Sequence, residues 1–116
     1  MMVVSYLERI RNRFQEEQID LNTDLSVANL KFKENVEIIK FLESSIDRNI
    51  ESFTPRQLGG FNLRKVDELR LEQEELTEKI NMLNTKLTMV TEELTNLAEV
   101  IKIAKENDRI LKNMNE

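Results

Sequence analysis

Apolar residues recur along the C-terminal half of the chain with a seven-residue period. Leu69, Leu76, Leu83, Val90, Leu97, Ala104 and Leu111 share one phase, and Ile80, Leu87, Leu94 and Ile101 each follow a member of that series by four residues. A mean spacing of 3.5 keeps one narrow apolar stripe turned toward a neighbour, which predicts a helix supercoiled against another helix. The N-terminal half carries its own seam. Val4, Leu25, Phe32, Ile39, Ile46 and Phe53 hold its a positions, and Leu7, Phe14, Leu21, Ala28 and Leu42 its d positions. Asn22, Thr23, Asp24 and Ser26 are weak helix formers, but the phase is unchanged across them, so one continuous helix is expected.

Between the seams lies the stretch from Ser52 to Asn62, with the only Pro and both Gly residues of the chain. Thr54 can cap a helix, Pro55 suits its first position and Gln57 completes a capping box, while Phe53 and Leu58 occupy the positions of a hydrophobic staple. Gly59 and Gly60 follow at once. The expected organisation over 1–116 is therefore a single helical-hairpin coiled-coil domain: helix about 4–53, turn about 54–61, helix about 62–114. A helix running straight from Pro55 through the glycines is the alternative. The fold class is all-α, an antiparallel two-helix coiled-coil hairpin. A turn centred near residues 57 and 58 brings Phe32 near Leu83, Leu25 near Val90 and Leu42 near Gln73.

Polar residues interrupt the seam at Arg11, Gln18, Asn35 and Asn49 in the first helix and at Gln73 and Asp108 in the second. Such residues either specify register at a cost in stability or sit half exposed and specify nothing. Other apolar residues lie off the seam: Val36, Ile38, Phe41 and Ile50 in the first helix, and Met82, Met89, Ile103 and Ile110 in the second. A lone hairpin would leave these in water, whereas a three- or four-helix assembly would bury them. A homodimer packing as a four-helix bundle, or a higher homo-oligomer, is the expectation, and a different protein partner is the alternative. The residues expected to supply assembly energy are Leu25, Phe32, Ile39, Ile46, Leu76, Leu83, Leu87, Val90, Leu94 and Leu97. Phe53, Leu58, Phe61 and Leu63 cluster at the tip, where they either close the hairpin end or dock a partner.

Composition narrows the function classes. The chain has no Cys and no His, which removes disulfides, thiolate sites, the commonest zinc ligand and the commonest general base. The carboxylates at Glu72, Glu74, Glu75, Glu78, Glu92 and Glu93 lie off the seam, whose inward positions are largely Leu and Ile, so a dimetal carboxylate site cannot be built. Gly59 and Gly60 lack the Lys and Ser or Thr of a phosphate loop. No enzyme activity, cofactor or metal is expected. The net charge of −5, with signs interleaved, argues against nucleic acid, and Arg9, Arg11 and Arg13 read as a solvated face beside Glu8, Glu16 and Glu17. The apolar opening Met1 to Leu7 is too short for a signal peptide core or a membrane span, so a cytoplasmic protein without membrane insertion is expected.

The run Phe53, Thr54, Pro55 and Arg56, placed after a helical segment and before a coiled coil rich in Glu, Leu and Lys, resembles the N-terminal coiled-coil sensor region of DegS-like bacterial two-component kinases. The resemblance covers the tip and the second helix; a phosphoacceptor His and an ATP-binding domain are missing. It implies a sensing module that passes a conformational signal along a dimeric coiled coil. The expected function is thus a non-catalytic coiled-coil interaction module, in this resemblance the signal-transmitting part of a bacterial two-component system. The alternative is a helical adaptor or holding chaperone similar to prefoldin-type proteins, with paired long helices and apolar ends.

Overall fold

The computed structural model describes the backbone of residues 2–49 and 55–115, and the side chains of residues 2–44 and 64–114. Two helices account for all of it, α1 over Met2–Asn49 and α2 over Pro55–Asn115, with no strand among the described residues. The chain is an all-α helical hairpin. α1 runs unbroken through the weak stretch at Asn22 to Ser26, where the Thr23 hydroxyl donates to the Ile19 carbonyl at 3.0 Å. Thr77, Thr88 and Thr95 make the same bond to the carbonyl four residues back. Bonding of this kind gives a β-branched polar side chain a partner without interrupting the helical ladder.

Packing divides the chain into two units, Met1–Asp24 with Leu83–Glu116, and Leu25–Met82. In the first unit α1 and α2 are antiparallel, as the contacts of Gln18 with Thr91 and of Glu8 with Lys105 require. Leu21, Leu83, Val90 and Ile101 are buried there. In the second unit Ile39, Val66 and Leu69 form a buried cluster against which Leu42 packs. Along both helices the buried and half-buried positions alternate in steps of three and four, from Val4 to Leu42 and from Val66 to Asp108, apart from Glu8, Ile10, Val36 and Glu43 on the flanks. Each buried Leu, Ile or Val contributes on the order of 1.5–3 kcal/mol, and this seam is the only core the described residues have.

Two features depart from expectation. α2 begins at Pro55, so Gly59 and Gly60 lie within a helix and take no positive φ, as in the alternative of a helix running through them. Leu111 continues the heptad in sequence but is 58% exposed. The pairing register shifts with the start of α2. Leu42 packs against the cluster of Val66 and Leu69 instead of standing opposite Gln73, which lies one heptad beyond Val66. α2 already begins at Pro55, ahead of the expected start near residue 62, and the partners of α1 lie correspondingly earlier along α2.

Candidate interaction surface

The seam is spent inside the chain. Leu25, Ile39, Leu76, Leu83 and Val90 are buried and Phe32, Leu87, Leu94 and Leu97 half-buried; the Ile46 side chain lies outside the described residues. The side chains of Phe53, Leu58, Phe61 and Leu63 also lie outside them.

The seam's polar positions differ from one another. Asn35 is only 3% exposed and its Nδ2 donates to the Leu69 carbonyl at 2.8 Å, while its Oδ1 has no hydrogen-bond partner. A helix carbonyl retains a second lone pair after making its ladder bond, so this contact costs α2 nothing. Gln18 donates from Nε2 to the Thr91 hydroxyl at 3.3 Å, and that hydroxyl in turn donates to the Leu87 carbonyl at 2.8 Å. Arg11 is half-buried and its Nε has no hydrogen-bond partner. Asn35 is thus buried and bonded across to α2, whereas Gln18 makes an exposed contact.

What remains open to solvent is a second apolar stripe. Ile38, Phe41, Met82, Met89, Ile103 and Ile110 are all exposed, as the off-seam spacing implies, and Val36 is half-buried. Three residues near the N-terminus extend the stripe in a way that sequence reading missed. Val3 and Tyr6 are exposed, Ile10 is half-buried, and the three follow the same three-and-four spacing. The signal is short, and Arg13, Glu17 and Asp20 take its next positions, so it does not stand out as a period.

Two hollows assign sides to the first unit. Phe14 and Glu17 of α1 line one with Lys86, Met89, Val90 and Glu93 of α2. Val4 and Ser5 line the other with Lys105, Asp108, Arg109 and Lys112. The second side is polar and carries the ion pairs of Lys105 with Glu8 at 3.4 Å and of Arg109 with Glu106 at 2.6 Å. In the second unit the flank is closed by an ion pair between Arg70 and Glu43. Such exposed pairs add little stability but keep that flank solvated.

No group of three or more acidic, His or Cys side chains suited to a metal ion occurs among the described residues, and no described helix is long and apolar enough to cross a membrane. In the first unit, one flank thus carries the ion pairs and the other exposes apolar side chains. No protein-family model, curated protein or solved structure matches the chain.

Proposed function

We propose that the chain is a non-catalytic protein–protein interaction module that recognises another helical surface through its apolar face. The observation that supports this reading is the exposure of Tyr6, Val100 and Ile103, at 57%, 46% and 56%, at helical spacing on a side free of the described ion pairs. Contiguous apolar surface of this kind marks interaction sites, and spacing in steps of three and four suits a helix as the occupant. The buried Asn35 fits a module whose output depends on register, since a slipped pairing would strand its amide. Signal transmission in a bacterial two-component system is the finer form of this proposal, and a cytoplasmic setting goes with it.

A photo-crosslinking residue at Ile103, in the full chain expressed in its source cells, tests the reading. A protein adduct at that position and none at Lys112 on the polar flank is the expected result. No adduct at either position would overturn it.

A further inference from the structure

In the unit formed by Met1–Asp24 and Leu83–Glu116 both helices contribute to the apolar face, Val3 and Tyr6 from α1 and Met89, Val100, Ile103 and Ile110 from α2. Glu17 and Met89 line the same hollow, so the flanks on which they lie face the same way. Ile10 and Val3 precede Glu17 by one and two heptads, and Ile103 and Ile110 follow Met89 by two and three. Because the seam of this unit keeps a seven-residue period, residues seven apart stay on one side of it. Val3, Tyr6 and Ile10 therefore share a face with Val100, Ile103 and Ile110. Their exposed area is on the order of 500 Å² per chain, in the range of the largest, often functional, patch on a monomer and below the ~800 Å² each partner buries in a standard-size complex. In the other unit the equivalent α1 positions include exposed Val27, Ile38 and Phe41, but those of α2 are charged apart from Met82, so the α2 side is less apolar there.

Charges along the same stripes identify the occupant. On α1 the spacing continues from Ile10 through Arg13 and Glu17 to Asp20, and on α2 it runs back from Val100 to Glu93 and Lys86; the charges that bear on the pairing are Arg13, Asp20, Glu93 and Lys86. All four are exposed, and none has an ionic partner among the described residues. From this, and resting on the interaction reading above, we infer that the occupant is a second copy of this chain. It lies in register, with the two-fold axis along the helices, so that α1 of each copy packs antiparallel on α2 of the other.

The level of the two helices within one chain brackets the pairing. Phe14 and Glu17 stand level with the stretch from Lys86 to Glu93, since they line one hollow. A second hairpin at the same height brings Arg13 to Glu93 of the second copy and Asp20 to Lys86 of the second copy. The same alignment sets Tyr6 against Val100 and Val3 against Ile103 of the second copy. At these four contacts opposite charges meet and apolar residues meet apolar ones, while the same alignment sets Ile10 against Asn96 and Glu17 against Met89; the two-fold axis repeats each contact. The seam and this face lie on adjacent sides of each helix, as a four-helix bundle requires.

Charge reversal gives a test that simple loss of folding cannot imitate. Arg13→Glu alone places Glu against Glu93 of an identical copy, and Glu93→Arg alone places Arg13 against Arg. Mixed together, the two variants restore opposite charges at both contacts. Expected are a dimer mass for the wild type by sedimentation equilibrium, a dissociation constant weakened at least tenfold for each variant alone, and a heterodimer of near wild-type strength on mixing. Unchanged helical circular dichroism and melting of the monomeric variants show that the hairpin stays folded. A wild-type monomer, or a dimer indifferent to both reversals, would overturn the inference. A monomer that still yields an Ile103 adduct with a different protein sinks self-association and leaves the interaction reading standing; a monomer with no adduct sinks both.

Discussion

Asn35→Leu is the substitution whose outcome the structure constrains most closely. The side chain is 3% exposed, makes one hydrogen bond at 2.8 Å to the Leu69 carbonyl and leaves Oδ1 without a partner. Losing the bond costs about 0.5–1.5 kcal/mol, while removing the orphaned acceptor returns about 1–3 kcal/mol. Burying leucine hydrocarbon in the same seam layer adds about 1.5–3 kcal/mol. The net is a stabilisation of about 1–5 kcal/mol, which at roughly 4 °C per kcal/mol for a chain of this size raises the melting temperature by about 4 °C or more. Specificity should fall as stability rises, because a slip of one heptad no longer strands an amide. The chain has no cysteine of its own, so introduced pairs report register without interference. Glu43→Cys with Arg70→Cys should crosslink in the native register, since those side chains meet. Glu43→Cys with Thr77→Cys, one heptad displaced, should crosslink only in the Asn35→Leu background. A fall in melting temperature would refute the energy argument, and a displaced pair that stays silent would refute the role in register.

Other substitutions address other parts of the hairpin. Leu83, 5% exposed, should lose about 2–5 kcal/mol of stability as Leu83→Ala, measured by urea unfolding; wild-type unfolding would mean that the seam does not close there. Gly59→Ala and Gly60→Ala should each stabilise by about 0.8–1 kcal/mol in the same assay, because both glycines lie within α2; destabilisation would point to a turn with positive φ. Lys105→Ala breaks the pair with Glu8, yet both side chains are more than a third exposed, so the change should stay below about 1 kcal/mol and vanish in high salt.

Sequence periodicity located the seam because burial follows the heptad directly. Leu76, Leu83 and Val90 are buried where the period places them, and the absence of His and Cys limits the available chemistry without any coordinates. The stop at Leu111 was not legible, since a heptad position does not reveal whether the facing helix still reaches it; it is 58% exposed. The second stripe was legible on α2, where Met82, Met89, Ile103 and Ile110 repeat. On α1 Val3, Tyr6 and Ile10 make too short a run to register as a period.

The amino-acid sequence alone determined that there are two helices and which positions of each can turn inward, because those properties depend on local spacing and side-chain type. It left the pairing of the helices degenerate. A shift of one heptad sets seam against seam equally well, and only the tertiary structure chose, by starting α2 at Pro55 and seating the Asn35 amide on Leu69. Tertiary structure likewise decided that Glu17 and Met89 face the same way, and with them the apolar stripes of both helices. Period fixes an angle about one helix axis, and a shared face is a relation between two.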